Sequence, residues 1–516
     1  MKIIFSFSAL FYVGLIFAQA PNNQDLKSPL TVVDYAETIT IEDLKEDLTI
    51  LASDALEGRE TGKRGQKMAA AFIRAHFEEL GLQGPVVNGN SRSYYQDVPL
   101  KIATPRNIFL DIDGEKYKHI EDDVLYYGQE TTSSLITSEV VFAGKGSVEE
   151  FEKLDVKDKS VLIINSNRGE RQAALTLAKE KGAKFMFVVY RETDEGFSKY
   201  KNTFKSYFNR GSLKIDNSNK EKETVNSFFV SPSIAAEIFN TTFDNLKNAI
   251  VDFENGKSRA IKKISAKEVT YNLDFEVEKV ASENVLGYLE GTDLKDEVLV
   301  ITAHYDHEGI KNGQIYNGAD DDGSGTVAVM DIAEAFVKAK NDGNGPRRSI
   351  LFMAVTAEEK GLLGSEYYAD NPVFPLENTV ANLNIDMIGR IDDRDLESTD
   401  YVSLVGSDKL STQLHNLSEK MNSTYTNLFL DYTYNDTNHP ERIFYRSDHW
   451  NFAKNGIPVI FYTTGSHPDY HRPSDTVDKI EFELMKKRTQ LIFYTAWEIA
   501  NRDQRLLIDK KLEEIK

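Results

Sequence analysis

Histidine and carboxylate residues recur at five places in the second half of the chain, four of them behind a run of apolar residues and one in a Gly-rich loop before a helix. The places are His304-Tyr-Asp306-His307, Gly318-Ala-Asp320-Asp321-Asp322-Gly323-Ser-Gly325, Glu358-Glu359, Asp386 and Tyr470-His471-Arg-Pro473-Ser-Asp475-Thr476. Three consecutive aspartates concentrate negative charge that a cation or a helix N-terminus must offset. Because the chain has no cysteine, any metal site must use imidazole and carboxylate ligands.

Each place also has a structural explanation when it is taken alone. A histidine after a strand is commonly a loop residue, and a Glu-Glu pair at a helix start serves the helix dipole. An aspartate run forms solvated loops or Ca²⁺-like sites, and an aspartate after a strand often caps a helix. The recurrence of four of them behind successive strands, with the aspartate run between the first strand and its helix, favours a common site instead.

Alternating apolar segments predict the elements that position these residues. Predicted strands cover 298–302, 349–355, 380–385 and 457–462, and predicted helices cover 325–340, 359–369 and 481–501. Short apolar strands that alternate with helices indicate an α/β sheet buried on both faces. Ligands bind at the carboxyl ends of the strands in such sheets, so the fold itself would gather the five places at one edge.

The ordered motifs resemble the co-catalytic zinc aminopeptidases of the M28 family. The resemblance is close over about 270–500, and it extends to Leu51-Ala-Ser-Asp-Ala-Leu-Glu-Gly58-Arg59 and the helix that follows. It implies a mixed, mostly parallel central sheet flanked by helices, the zinc-exopeptidase (phosphorylase/hydrolase-like) fold. The peptidase domain would be discontinuous, formed by 35–110 and 270–505. Residues 111–265 resemble the protease-associated (PA) domain, a smaller β-rich α/β insertion.

The same resemblance implies which residues do the chemistry. Two Zn²⁺ ions per chain, or other divalent ions, would share Asp320; His304 and Asp386 would complete one site, and Glu359 and His471 the other. Glu358 would act as the general base toward a bridging hydroxide. Asp306 would assist catalysis by orienting the second ring nitrogen of His304. Asp321 would adjust the Asp320 peptide, where the family has a cis bond. His467 is a rival to His471, but the motif around His471 favours the latter.

The substrate contacts depart from the family pattern. Where some members place a tyrosine that stabilises the oxyanion, this chain has Arg446, with Tyr445 just before it. Arg446 would stabilise an oxyanion, bind a substrate carboxylate or form a salt bridge to Asp448. Arg390 raises the same alternatives. The sequence therefore leaves the oxyanion donor open.

The amino terminus predicts export. Lys2 precedes an apolar run from Ile3 to Ala18, and Ala18-Gln19-Ala20 has the small-x-small pattern of a cleavage site. Residues 1–20 would be a signal peptide, with cleavage after Ala18 and an uncleaved anchor as alternatives. The mature chain would be secreted or periplasmic, without a stable membrane span.

Charge and composition limit the classes of molecule that we expect the chain to bind. The 516 residues include 61 Lys+Arg and 82 Asp+Glu, for a net charge of −21, which argues against a nucleic-acid partner. We expect a metallo-exopeptidase that removes N-terminal residues from peptide substrates. The alternatives are a glutaminyl cyclase-like enzyme with one working zinc, a dipeptidase or carboxypeptidase on the same fold, and a non-catalytic binding module. The oligomeric state is open.

Overall fold

The chain is described by a computed structural model that covers residues 31–128, 132, 134–216, 225–394 and 396–512. The predicted signal peptide, residues 1–20, lies outside these ranges. Within them, no helix combines the length and the apolar character needed to cross a bilayer.

Strands and helices alternate through most of the described chain. The strands are β1 (Val86–Asn88), β2 (Ser91–Ser93), β3 (Tyr95–Ile112), β4 (Glu115–Lys118), β5 (Val124–Tyr127), β6 (Ile136–Phe142), β7 (Ser160–Ile164), β8 (Phe185–Val189), β9 (Ser212–Ile215), β10 (Asn226–Val230), β11 (Lys267–Leu289), β12 (Leu294–His304), β13 (Gly309–Lys311), β14 (Gln314–Tyr316), β15 (Arg348–Val355), β16 (Thr379–Ile385), β17 (Tyr401–Val405), β18 (Phe429–Asp431) and β19 (Val459–Thr463). The helices are α1 (Val32–Ala36), α2 (Ile41–Leu51), α3 (Arg64–Glu79), α4 (Val148–Phe151), α5 (Arg168–Glu180), α6 (Asp194–Asn209), α7 (Pro232–Ile238), α8 (Phe243–Glu254), α9 (Gly325–Asn341), α10 (Leu363–Asp370), α11 (Thr412–Met421), α12 (His449–Ala453) and α13 (Phe482–Asn501).

The part of the sheet that holds the candidate site has the order β18-β17-β19-β16-β12-β15-β11. Strands β15, β12, β16 and β19 run parallel, whereas β11 pairs antiparallel with β15 and β17 pairs antiparallel with β19. This arrangement confirms the predicted mixed, mostly parallel α/β sheet. Because β12, β15 and β16 run parallel side by side, the residues after them meet at one edge.

Both faces of this sheet are buried, as the apolar strands predict. Leu299 and Ile301 of β12 belong to a core shared with α9 and α13, while Val298 and Val300 face a second core that includes Tyr368. Alternate residues of a strand point to opposite faces, so a strand covered on both sides must be apolar throughout.

A second group of cores lies in the middle of the sequence. Strands β6, β7, β8 and β10 are parallel, and β5 pairs antiparallel with β10 at the edge. The cores that cover these strands use residues from Ile108 to Leu273. This segment coincides with the predicted insertion 111–265, and its assignment as a PA domain stays a prediction.

A long two-stranded ribbon joins the two regions. Strands β3 and β11 pair antiparallel from Thr270 opposite Asp111 to Val285 opposite Tyr95, with a register shift between Asp274 and Phe275. The start of β11, from Lys267 to Tyr271, also pairs with β6. Its end, from Val285 to Leu289, also pairs with β15. The sheet is therefore continuous between the two regions.

Candidate metal centre

The candidate residues meet at the edge where the parallel strands end. His304 is the last residue of β12, Glu358 and Glu359 follow β15 by a few residues, and Asp386 comes directly after β16. His471 lies in the loop that follows β19, where its backbone φ is +53°. The predicted gathering of these places at one edge is what the structure shows.

One group of ligand-type atoms surrounds His304. Its Nε2 atom lies 3.2 Å from Oδ1 of Asp321, 3.7 Å from Oδ1 of Asp386 and 3.8 Å from Oε2 of Glu358. The other oxygen of Asp386 accepts a hydrogen bond from Ser447 Oγ at 2.6 Å. His304 is fully buried, so these contacts occur in an environment without bulk water.

A second group surrounds Glu359. Its Oε2 atom lies 3.2 Å from Nε2 of His471, and its Oε1 atom lies 2.9 Å from Nδ1 of His307. Nε2 of His471 is also 3.0 Å from Oδ2 of Asp321. Since its Oδ1 atom faces His304, Asp321 is shared by the two groups.

This position of Asp321 corrects the expectation that Asp320 is the shared ligand. Asp320 points away from both groups: its Oδ1 accepts hydrogen bonds from the Gly389 amide at 2.6 Å and from Ser324 Oγ at 2.9 Å. Its Oδ2 lies 3.2 Å from Nε2 of His467. The cis peptide bond is likewise one residue later than expected, between Asp321 and Asp322.

His467 contacts Asp320 and lies in neither of the two groups of ligand-type atoms. His471, which the motif favoured over His467, lies between Asp321 and Glu359. His467 therefore faces Asp320, whereas His471 faces Asp321.

Asp306 contacts His304 in a different way from the one expected. Nδ1 of His304 lies 3.0 Å from the backbone oxygen of Asp306, while the Asp306 carboxylate is 3.8 Å away. That carboxylate accepts hydrogen bonds from Thr61 Oγ1 at 2.7 Å and from the Glu358 amide at 3.1 Å. Asp306 therefore fixes the backbone of Glu358 as well as the tautomer of His304.

Burial and neighbouring charges together shift the pKa values of two site acids, Glu358 and Asp321, in opposite directions. Burial raises the pKa of Glu358 well above its usual value, and the charges of Asp386 and Glu359 add to this, although His304 opposes it. Burial also raises the pKa of Asp321, but the neighbouring imidazoles outweigh it and hold that pKa well below the usual range. The two carboxyls thus differ strongly in acidity.

Two further aspartates brace the loop that carries Asp321. Asp322 accepts hydrogen bonds from the amides of His304 at 3.1 Å, Gly325 at 2.8 Å and Met387 at 3.2 Å. Asp475 accepts hydrogen bonds from the Asp320 amide at 3.0 Å and the Asp321 amide at 3.2 Å. These bonds tie the aspartate loop to the ends of β12 and β16 and to the His471 loop.

Arg59 braces the same loop from the amino-terminal segment. Its fully buried guanidinium donates hydrogen bonds to the carbonyl oxygens of Leu51, Tyr305, Asn317 and Gly318. The Gly58-Arg59 motif thus holds the backbone on both sides of the site.

The three candidates for substrate contact differ in their surroundings. Arg390 is bound to Asp469 at 3.0 Å, and the Tyr445 ring packs on Trp450 at 4.8 Å between ring centres. Arg446 is exposed, and its Nη2 lies 3.5 Å from the hydroxyl of Tyr470, whose ring stacks on His471 at 3.9 Å.

Asp448, the alternative partner of Arg446, is buried elsewhere. Its carboxylate accepts a hydrogen bond from Ser365, and burial raises its pKa to about 7. Among the three candidates, Arg446 is thus connected to the second group through Tyr470, whose ring contacts His471.

Sequence reasoning gave no role to His307 and Tyr470, although both lie within the quoted motifs. His307 is fully buried, with Nδ1 3.7 Å from Oδ2 of Asp321. The signal available in the sequence was the fourth residue of His304-Tyr-Asp306-His307, which is a second imidazole close behind the same strand.

Comparison with known proteins points in one direction. The sequence signature described as Peptidase family M28 matches residues 284–496. "Aminopeptidase YwaD" of Bacillus subtilis (strain 168) is 26% identical over 238 residues, which cover 45% of this chain and 47% of that protein. "Probable leucine aminopeptidase" of Trichophyton verrucosum (strain HKI 0517) is 28% identical over 213 residues, 40% of this chain and 55% of that protein.

The fold is also shared with a solved structure. "Aminopeptidase from Aneurinibacillus sp. strain AM-1" superposes with a TM-score of 0.52 at 18% identity, covering 94% of this chain and all of that one. The chain spans about half the length of the curated relatives it matches. The matched segment 284–496 holds His304, Asp321, Glu358, Glu359, Asp386 and His471.

Proposed function

Residues 284–496 belong to peptidase family M28, and on that premise we propose that this chain is a zinc aminopeptidase, a metallo-exopeptidase that removes N-terminal residues from peptides. The observation that carries the proposal is the convergence of His304, Asp386, Glu359 and His471 on the two oxygens of Asp321. The aminopeptidase names of the two curated relatives support the substrate class.

The donor set fits two zinc ions. His304, Asp321 and Asp386 would hold one ion, and Asp321, Glu359 and His471 the other, with the imidazole and carboxylate ligands that zinc accepts. Neighbouring ligand atoms on a tetrahedral zinc are about 3.3 Å apart, since each bond is about 2.0–2.1 Å. The observed separations between 3.0 and 3.7 Å are close to this value. When bound, the ions would polarise the scissile carbonyl and make a water molecule more acidic.

Glu358 is the proposed general base. It takes a proton from the attacking water at its carboxylate and delivers that proton to the nitrogen of the departing amine. Its amide is fixed by Asp306, which is fixed in turn by Thr61. This anchoring keeps the carboxylate beside His304.

Arg446 and Tyr470 are the proposed contacts for the negative charge of the substrate. Both lie at the open side of the site, where Tyr470 covers His471. An arginine donates hydrogen bonds from a fixed cation, which suits an oxyanion or a peptide carboxylate.

The test uses Glu358→Gln, with Glu377→Gln on the exposed surface as the matched control. We expect Glu358→Gln to retain the metal content of the wild type and to lose about 10²-fold or more in kcat. Glu377→Gln should match the wild type. Full activity of Glu358→Gln would contradict the assignment of the base.

Substrate class and metal count decide among the related activities. Aminoacyl amides should be cleaved, N-blocked peptides should not, and a chelator should abolish the activity. Cleavage of N-blocked peptides would favour a carboxypeptidase or endopeptidase. One ion per chain with cyclisation of N-terminal glutamine would favour a glutaminyl cyclase-like enzyme.

We also propose that the protein is exported, on the basis of Lys2, the apolar run to Ala18 and the pattern Ala18-Gln19-Ala20. Export places the peptidase in contact with peptides outside the cytoplasm. Amino-terminal sequencing of the mature chain tests this proposal, and a chain that begins at Met1 in the cytoplasmic fraction would contradict it.

A further inference from the structure

His307 lies inside the second group of ligand atoms. Its Nδ1 is 2.9 Å from Oε1 of Glu359 and 3.7 Å from Oδ2 of Asp321. Its ring centre is 5.7 Å from that of His471, at an angle of 71°. Two imidazoles therefore face the same two carboxylates.

These contacts are close, but they are not hydrogen bonds. Nδ1 of His307, Oε1 of Glu359, Oδ2 of Asp321 and Nε2 of His471 are all buried and have no hydrogen-bond partner among the described residues. Buried polar atoms are rarely left unpaired, because each costs about 1–3 kcal/mol. His307, Asp321 and Glu359 each offer a ligand atom within 4.8 Å of the other two, and Nε2 of His471 lies 3.0 Å from Oδ2 of Asp321. Unpaired atoms of ligand type so close together indicate a shared cation.

The fold fixes the ring of His307 in this place. Its amide donates to the Arg59 carbonyl at 3.2 Å, and Glu60 pairs with it in an isolated β-bridge. On the other side, a Cβ atom on Gly318 would lie 2.5 Å from Cγ of the His307 ring. The ring is thus held between the amino-terminal segment and a glycine with φ of +56°.

We propose that His307 is a direct ligand of the second metal ion, together with Asp321, Glu359 and His471. This inference rests on the proposed two-metal function. The second ion then has four protein side chains as ligands, whereas the first has His304, Asp321 and Asp386. A zinc site closed by four protein ligands is typical of a tightly held ion, and a site with three keeps a position open. The two ions should therefore differ in how readily a chelator removes them.

The competing role for His307 is a hydrogen bond that only orients Glu359. Two substitutions separate the roles. His307→Asn places an amide donor near the position of Nδ1 and preserves a hydrogen bond to Glu359, but an amide is a poor zinc ligand. His307→Cys removes that donor and supplies a thiolate, which binds zinc and cobalt.

The experiment measures how firmly each variant retains its metal ions and records the absorption spectrum of the cobalt-substituted protein. Neither measurement depends on catalytic activity. Each zinc-loaded variant is dialysed against increasing chelator, and the ions per chain are counted by elemental analysis. We expect the wild type to lose one ion well before the other. His307→Asn should lose the retained ion at a chelator concentration about 10²-fold lower, while His307→Cys should keep it.

Cobalt substitution gives the direct readout. The chain contains no cysteine, so a thiolate-to-cobalt charge-transfer band in His307→Cys can arise only from residue 307. His415→Cys, on α11, is the matched control and should show no such band. Circular dichroism and thermal unfolding of the metal-free proteins establish that each variant is folded.

The outcomes are distinct. A charge-transfer band in His307→Cys, with weakened retention in His307→Asn, supports the proposal. A cobalt-loaded His307→Cys without the band overturns it, as does His307→Asn with the metal retention of the wild type. A wild type that binds fewer than two ions contradicts the two-metal function itself, which is a separate result.

Discussion

Replacing Asp321 by asparagine removes a carboxylate whose two oxygens face different imidazoles, at 3.2 Å from His304 and 3.0 Å from His471. The neighbouring Asp320→Asn is the matched control, since both side chains are fully or almost fully buried and differ by one position. The amide nitrogen of asparagine cannot serve as a metal ligand, so Asp321→Asn removes a ligand atom from one group. It also removes the negative charge that both groups share.

The expected magnitudes differ for physical reasons. Metal ions contribute several kcal/mol to such a reaction, and a loss of about 4 kcal/mol corresponds to a fall of about 10³-fold in kcat/KM. Asp320→Asn keeps one oxygen for the Gly389 amide and for Ser324, so it should cost about 1–3 kcal/mol of stability while the ions remain bound.

The assay pairs elemental analysis after gel filtration with kcat/KM on an aminoacyl amide and urea unfolding. Asp321→Asn should lose at least one ion, and Asp320→Asn should keep the wild-type content. The reverse pattern, with ions lost only from Asp320→Asn, would refute the reasoning from geometry and restore Asp320 as the shared ligand.

Arg59→Met leaves four buried carbonyl oxygens without their donor and should lower the free energy of unfolding by at least about 3 kcal/mol in urea; a change below 1 kcal/mol would contradict this. Gly318→Ala should displace His307 and weaken metal retention, whereas Gly343→Ala, where a Cβ meets open space, should retain the ions; equal retention would contradict it. Burial, aided by Glu46 and Asp43, raises the pKa of Asp47 from 3.8 to about 6. Because the folded state then binds more protons, stability should fall as pH rises from about 4 to about 6, and Asp47→Asn should remove that part of the slope.

The strands of the site were predictable because each is an unbroken apolar run. The predicted 349–355 and 380–385 agree with β15 and β16 within one residue. The predicted helix 359–369 begins later, at Leu363, because Glu358 and Glu359 leave the end of β15 in a turn. The Glu358 carbonyl accepts hydrogen bonds from the Gly361 and Leu362 amides there, and Leu362, with φ of +61°, precedes the helix. Helical periodicity does not reveal such a turn.

The choice among Asp320, Asp321 and Asp322 was not predictable from local sequence. All three are buried aspartates, and their roles are set by distant partners: His467, His304 with His471, and the amides at the ends of β12 and β16. His307 was missed for the same reason, since its position depends on Arg59 and Gly318.

The β3–β11 ribbon has a consequence for the order in which the chain can fold. Asp111 and Thr270 are direct partners in it, although about 160 residues separate them, and closing so long a loop costs about 4–5 kcal/mol in chain entropy. Once the segment between them has folded around its own hydrophobic cores, its two ends lie side by side. Pairing β3 with β11 then requires no further loss of chain entropy for closing this loop. The contact between Arg59 and Tyr305, directly after β12, then closes a much shorter effective loop. The middle segment thus favours assembly of the site, although none of the proposed ligands lies in it.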